Sequence, residues 1–163
     1  MNDINYRGAV INEILDHAGK DERIVLLVGD MGFGVIDLFK ERFPDRLFNL
    51  GIMEQGMVGI AAGMAMTGLK PIIYCMVNFL AFRAIEQVRN DIVLQGLNVK
   101  LIGTGANDYF KFLGDSHCCG RDDKIIMELI GMRVFDPYIE DAPGFSSLVR
   151  DWILDDKAGY IRV

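Results

Sequence analysis

Hydrophobic positions in this chain follow two alternating periodicities from one end to the other. The segment IVLLVG (24–29) is a continuous apolar run, which is typical of a strand that is covered on both faces. Five further short apolar runs predict strands at 46–51, 71–77, 99–105, 132–136 and 159–163. Segments with helical spacing predict helices from a cap at Asp3 or Asn5 to Gly19, and at 35–43, 54–67, 79–94, 123–131 and 142–154.

Strands that alternate with helices predict a three-layer α/β/α sandwich, in which a mainly parallel six-stranded sheet has helices on both faces. Ligands of such sheets bind beyond the carboxyl ends of the strands. This rule places the turn after Gly29 and the segments 51–54, 78–82 and 105–122 on one rim. The last of these is a loop of about 18 residues. Loops longer than about 12–15 residues are usually functional or disordered.

Length and charge narrow the class of protein. The 163 residues fit a single domain over 1–163. The net charge is −6 and the chain has no Lys/Arg run, so nucleic-acid binding is not expected. There is no stretch of about 18 uncharged apolar residues, and the start MNDINYRGAV has no apolar signal core. We therefore expect a cytoplasmic protein without a membrane span.

Cysteine content and hydropathy add two expectations. Cys75, Cys118 and Cys119 form no Cys-x-x-Cys pair, so neither a disulfide framework nor a zinc site is predicted, and we assign no metal ligands to this chain. Hydrophobic residues make up 51% of the chain and the mean hydropathy is +0.22. Excess apolar surface on a small domain favours a large interface with a partner.

Glu54 follows a strand and opens a helix, and its position alone would suit a carboxylate stabilised by the helix dipole. The wider segment 43–72, FPDRLFNLGIMEQGMVGIAAGMAMTGLKPI, carries more information. It contains Pro-Asp-Arg, a short strand, Gly-Ile-x-Glu-Gln, a Gly/Ala-rich helix and Gly-x-x-Pro. This order strongly resembles the pyrimidine-binding module of transketolase-like thiamine diphosphate enzymes. The agreement continues through NFLAFRAIEQVRND (78–91), the Ser116-His117 pair and VFDP (134–137), and covers nearly the entire chain.

The resemblance implies a catalytic role for Glu54. In the family, this carboxyl group contacts a ring nitrogen of the cofactor's aminopyrimidine and favours the imino tautomer, which activates the thiazolium ring. That chemistry needs a partly desolvated carboxyl group that can share a proton. The apolar neighbours Ile52 and Met53 are consistent with it. The resemblance also places Ile52 among the cofactor-binding residues.

Two more cofactor contacts are implied on the same rim. Phe79 follows the third predicted strand, where the family has an aromatic residue that stacks on the aminopyrimidine. Such stacking contributes about 1 kcal/mol beyond area burial. Phe82 could serve instead, and either ring could be an ordinary core aromatic. Asp30 and Met31 follow the first predicted strand, where the family has an acidic residue near the thiazolium and the dimer interface. A plain turn Asp that accepts from nearby amides would give the same pattern.

His117 lies in the long loop as GDSHCCG (114–120). This segment resembles the family's Gly-x-Asp-Gly-Pro-Thr-His loop, whose histidine faces the substrate and is catalytic. A histidine suits proton transfer near neutral pH. Four residues before it, Leu113 stands where the family often has an Asp that recognises a sugar hydroxyl. A hydrophobic or modified acceptor is therefore a further possibility for the substrate.

The other polar residues of this region carry weaker predictions. Arg83, Glu86, Gln87 and Arg89 form a stripe on the predicted helix 79–94, which indicates a solvated face or an ion pair between subunits rather than chemistry. Cys118 and Cys119 have no second histidine beside them, and we interpret both as loop or interface residues.

A thiamine diphosphate enzyme also needs a diphosphate-binding module with Gly-Asp-Gly, and this motif does not occur in the sequence. The family's carboxyl-terminal module is not expected after GYIRV either. The resemblance therefore implies one subunit of a split enzyme, with Mg²⁺ and the diphosphate held by a separate chain in an α₂β₂ heterotetramer. The favoured activity is transfer of a two-carbon ketol unit between a ketose and an aldehyde. A component of a 2-oxoacid decarboxylase or dehydrogenase and a noncatalytic interaction subunit of the same fold are the alternatives.

Overall fold

The computed structural model describes residues 6–163, so the predicted caps Asp3 and Asn5 lie outside the described residues. Helices and strands alternate as predicted. In chain order the elements are α1 Tyr6–Lys20, β1 Ile24–Val28, α2 Asp37–Arg42, β2 Leu47–Asn49, α3 Glu54–Met66, β3 Lys70–Met76, α4 Ile85–Gln87, β4 Lys100–Thr104, α5 Asp122–Leu129, β5 Arg133–Phe135, α6 Phe145–Leu154 and β6 Gly159–Arg162. No helix within residues 6–163 is long and apolar enough to cross a membrane.

The six strands form one sheet in the order β2-β1-β3-β4-β6-β5. Every pairing between neighbouring strands is parallel, and Leu26 lies opposite both Leu47 and Ile72. Helices cover both faces of this sheet. The predicted α/β/α sandwich is therefore confirmed, and the sheet is parallel throughout the described residues.

Two apolar layers explain why the strands are continuous hydrophobic runs. In β1, Leu26 and Val28 pack with α1, α2 and α6 on one face of the sheet. Val25 and Leu27 pack with α3, α5 and the segment 79–93 on the other face. All five residues of β1 are buried, because a strand in the middle of a doubly covered sheet has no solvent-facing side.

The segment 79–93 differs from the single regular helix that we predicted. It consists of a π-helical turn over Phe79–Arg83, the short helix α4 and a second π-helical stretch over Val88–Val93. The Ala84 amide donates to the carbonyl of Phe79, five residues back, over 3.1 Å. Turns of this kind occur frequently at functional sites, where they change the direction of side chains.

The predicted long loop 105–122 has neither a strand nor an α-helix before α5 begins at Asp122. It contains three short 3₁₀ turns, at Ala106–Asp108, Lys111–Leu113 and Asp115–His117. Gly105 opens the loop with a φ of +88°, and a Cβ atom there would lie 2.3 Å from the ring of Phe110. Glycine therefore suits this position both for its backbone conformation and for its size.

Candidate active site

Glu54 is the first residue of α3 and its side chain is almost completely buried, with 2% relative exposure. Its Oε2 atom accepts a hydrogen bond from Arg83 Nη1 over 2.7 Å. Its Oε1 atom lies 4.0 Å from the Sγ atom of Cys75 on β3. Burial, followed by the charge of Glu54, raises the pKa of the Cys75 thiol to about 12. The carboxylate thus sits in a water-poor environment with one cationic partner.

Arg83 is the partner that the sequence did not reveal. Its guanidinium carbon lies 4.1 Å from the centroid of the Phe79 ring, within the range of a cation–π contact. It is 44% exposed, as a solvated stripe would be, but it also pairs with Glu54 of the same chain, which the sequence analysis did not predict. The four-residue spacing of Phe79 and Arg83 could have predicted their contact on one helix face, but it does not indicate a link to Glu54.

His117 joins this group through the ring of Phe79. Its ring centroid lies 5.6 Å from that of Phe79, in an edge-to-face arrangement with an interplanar angle of 70°. The Nδ1 atom of His117 lies 3.0 Å from the Oγ atom of Ser116. Glu54, Arg83, Phe79 and His117 therefore form a continuous series of contacts, although they come from three separate segments of the chain.

An open cleft of about 570 Å³ lies beside these residues. Its lining is a mixture of aromatic and polar side chains, from Asn78, Phe79, Phe82, Arg83, Ser116 and Cys118. Half of the Phe82 surface is exposed, so this ring borders the cleft and does not belong to the core.

Asn78 joins the cleft to the loop that carries His117. Its Nδ2 atom donates to the backbone carbonyls of Ser116, over 3.1 Å, and of Cys118, over 2.9 Å. These two carbonyls flank His117 in the chain. The sequence predicted no role for Asn78, because a side chain that holds a distant loop leaves no local pattern.

Asp30, Met31 and Ile52 lie at the carboxyl rim but are not among the residues that line this cleft. Asp30 is exposed with a φ of +53°, and its backbone N–H donates to Asn49 Oδ1 over 3.0 Å. Asn49 Oδ1 also accepts from the N–H of Gly51, so one side chain joins two loops of the rim. Met31 is partly buried against both apolar layers, whereas Ile52 is 71% exposed.

A buried ionic network holds the far end of the loop. Arg162 on β6 and Asp123 on α5 both have no exposed side-chain surface, and they form a two-pronged ion pair with N–O distances of 3.0 and 2.9 Å. The Tyr160 hydroxyl donates to Asp123 over 2.7 Å, and Arg162 also donates to the carbonyl of Gly120 and to Asp136. The network fixes the loop three residues beyond His117. No local sequence pattern indicates this pairing of Arg162 with Asp123.

The fold and this site define a class of protein. The family described as "Transketolase, pyrimidine binding domain" matches residues 2–158, so the chain belongs to the transketolase pyrimidine-binding domain family. The family implies thiamine diphosphate as its cofactor.

Individual relatives are longer than this chain. The 6-deoxy-6-sulfo-D-fructose transketolase subunit SqwH of Clostridium sp. (strain MSTE9) is 32% identical over 158 residues, which are 96% of this chain and 48% of that protein. The 1-deoxy-D-xylulose-5-phosphate synthase of Clostridium perfringens (strain SM101 / Type A) is 42% identical over 99 residues, 60% of this chain and 16% of that protein. The chain thus spans about half or less of the length of these relatives.

Solved transketolase structures are also similar to this chain. A structure titled "Split gene transketolase, inactive beta4 tetramer" superposes with a TM-score of 0.80 at 30% identity, over 98% of this chain and 51% of that one. A transketolase from Campylobacter jejuni subsp. jejuni superposes with a TM-score of 0.77 over 96% of this chain and 25% of that one. At 17% identity, this second similarity shows a shared fold.

Proposed function

We propose that this chain is the pyrimidine-binding subunit, a single domain over 1–163, of a split thiamine diphosphate-dependent enzyme. The proposed activity is the transfer of a two-carbon ketol unit from a ketose to an aldehyde. The observation that carries the proposal is the buried carboxylate of Glu54, which Arg83 links to the ring of Phe79 at the edge of an open cleft. Membership of the transketolase family supports the reaction class.

The residues present fit a flat, nitrogen-containing ring. The guanidinium of Arg83 is itself planar and carries N–H groups, and it contacts the face of Phe79 and the carboxylate of Glu54 at the same time. One planar group with N–H donors can therefore stack on Phe79 and hydrogen-bond to Glu54 at the same time. We infer that Glu54 and Phe79 would hold the aminopyrimidine of thiamine diphosphate, with Phe82 at the edge of the cleft. When bound, this cofactor supplies the carbon nucleophile that breaks and re-forms the carbon–carbon bond.

Two side chains of this protein would then handle protons. Glu54, which is excluded from water, would share a proton with a ring nitrogen; such sharing is strongest where the carboxyl group has no competing solvent. His117 would exchange protons with substrate oxygens, since an imidazole can donate and accept near neutral pH. Asn78 and Arg162 would set the position of His117 through the loop backbone.

We propose that the diphosphate and Mg²⁺ are held by a separate partner subunit in an α₂β₂ assembly. Residues 1–163 contain no Gly-Asp-Gly motif, which is consistent with a diphosphate site outside them. The relatives support it as well, because one is named a transketolase subunit and a solved split-gene transketolase is titled an inactive β4 tetramer. Leu113 is half exposed in the rim loop and offers no carboxylate where the family often has an Asp. It would favour an aldehyde substrate whose binding does not depend on that carboxylate.

The test replaces Glu54 with glutamine in the complex reconstituted with its partner, thiamine diphosphate and Mg²⁺. Glutamine is nearly isosteric but cannot share a proton as a carboxyl group does. Hydrogen–deuterium exchange at the thiazolium carbon, followed by NMR, is expected to slow by about 10²–10⁴-fold. The control is Glu86→Gln, because Glu86 is exposed on the neighbouring helix α4. Equal exchange in Glu54→Gln and wild type would refute the assignment.

The reaction itself is tested with a substrate panel on the same complex. Ketose phosphates, free ketoses and 2-oxoacids are compared as donors, with an aldehyde acceptor. Ketol transfer predicts product from a ketose donor without release of CO₂. CO₂ release from a 2-oxoacid, with no reaction from any ketose, would contradict ketol transfer and favour the decarboxylase alternative.

A further inference from the structure

The two groups that we assign to the pyrimidine ring are both already in contact with one side chain. Arg83 donates to Glu54 Oε2 over 2.7 Å and covers a face of Phe79 at 4.1 Å. A ring that stacked on this face and reached the same oxygen would need the space that the guanidinium occupies. The contacts of Arg83 are therefore those of a competitor for the site.

Burial shows from which side the carboxylate can be reached. Glu54 has 2% exposure and does not line the cleft, whereas Arg83 has 44% exposure and does line it. The other carboxylate oxygen faces the buried thiol of Cys75 at 4.0 Å. Access from the cleft to Glu54 is thus through the position of Arg83.

We propose that Arg83 occludes the pyrimidine site in the free subunit and withdraws into solvent when the cofactor ring binds. This inference rests on the proposed function of Glu54 and Phe79. A buried carboxylate without a partner is strongly unfavourable, so Arg83 keeps Glu54 paired until the ring takes its place. Its half-exposed, flexible stem allows the guanidinium to move into water without disturbing the core.

Occlusion weakens ring binding by the free energy of the contacts that must break. These contacts are a charge-assisted hydrogen bond and a cation–π contact, and their net contribution corresponds to about ten- to a hundredfold in affinity. Loss of Arg83 should therefore increase the affinity of the site for a neutral aminopyrimidine. A residue that only supported the local fold would give the opposite result.

The experiment uses the full chain and the probe 4-amino-2,5-dimethylpyrimidine, which has the ring of the cofactor but no diphosphate. Binding to wild type and to Arg83→Met is followed by NMR titration. The variant is expected to bind about ten- to a hundredfold more tightly. The matched control is Arg89→Met, because Arg89 is exposed and contacts its neighbour Asn90. In wild type, saturation with the probe should shift the ¹⁵N–¹H guanidinium signal of Arg83 toward that of a solvated arginine.

Equal or weaker binding by Arg83→Met would overturn the occlusion. If this variant does not fold, Arg83→Lys keeps the charge but loses the planar stacking group. It should bind the probe more tightly than wild type by a smaller factor, and equal or weaker binding would again overturn the proposal.

A second background separates this inference from the proposed function. Phe79→Ala combined with Arg83→Met should lose the gained affinity. If the probe binds in a Phe79-dependent manner but Arg83→Met gives no gain, the occlusion alone is wrong. If the probe binds independently of Phe79, or binds no variant, the proposed pyrimidine site is wrong and the occlusion falls with it.

Discussion

The ion pair between Glu54 and Arg83 is unequally buried, and this predicts unequal effects of removing either partner. Replacement of Arg83 by methionine leaves a carboxylate of 2% exposure without a cation. Replacement of Glu54 by glutamine leaves a guanidinium that is 44% exposed and can be hydrated where it stands. We therefore expect Arg83→Met to destabilise the fold more than Glu54→Gln does.

The magnitudes follow from what each change leaves behind. Breaking a buried ion pair from one side costs about 3–5 kcal/mol, and the half-exposed Arg83 places this case near 3 kcal/mol. Glutamine keeps the volume and a hydrogen-bond acceptor, so Glu54→Gln should cost about 1 kcal/mol. The double variant leaves no buried charge. It should therefore be less destabilised than the sum of the single variants, by roughly 1–2 kcal/mol of coupling.

Urea unfolding of the isolated chain measures these differences. With a slope of about 2 kcal/mol per molar urea, the midpoint should fall by about 1.5 M for Arg83→Met and 0.5 M for Glu54→Gln. Arg89→Met, an exposed position, should change the free energy of unfolding by less than about 0.5 kcal/mol. Equal losses in the two single variants, or strict additivity in the double variant, would refute the unequal-burial argument.

Three further outcomes are expected. Arg162→Met should cost about 3–5 kcal/mol because it leaves Asp123 buried and unpaired, whereas Arg133→Met at the surface should cost under about 1 kcal/mol; similar urea midpoints for both would contradict this. Burial raises the pKa of the Cys75 thiol to about 12, so the thiol stays protonated at pH 8 and iodoacetamide should label it in urea but not in the folded chain. Labelling of Cys75 in the folded chain, detected by mass spectrometry, would contradict this. Phe79→Ala should weaken thiamine diphosphate binding by the reconstituted complex about tenfold, as calorimetry can show, and unchanged affinity would exclude Phe79 as the stacking ring.

Local sequence patterns were sufficient for the order of helices and strands. Central strands such as β1 are short and apolar on both faces because helices cover both sides of the sheet, and this leaves a recognisable run such as 24–29. The least accurate element was 79–94, where the apolar spacing predicted one regular helix. Two π-helical stretches interrupt this helix. The sequence did not reveal them, because a π turn adds one residue to a turn without removing the apolar pattern.

The candidate site was only partly visible in the sequence. The proximity of Glu54, Phe79 and His117 could be predicted because each lies in a motif that resembles a known family, and the carboxyl ends of parallel strands meet on one rim. Their catalytic and cofactor-binding roles stay predictions. Asp30 and Ile52 were predicted to contact the cofactor in the same way, and those roles stay predictions. Residues that act on distant segments gave no signal, as Asn78 shows with its contacts to the loop carbonyls.

The sequence by itself determined the sheet, its two apolar layers and the position of Glu54 where a strand passes into a helix. These features depend on periodicity and on motifs within a few residues of each other. Only the tertiary structure decided which charges are paired. Arg83 meets Glu54 across 29 residues of sequence, and Arg162 meets Asp123 across 39. A buried charge needs a partner of opposite sign, but the packing of helices against the sheet selects which partner can reach it.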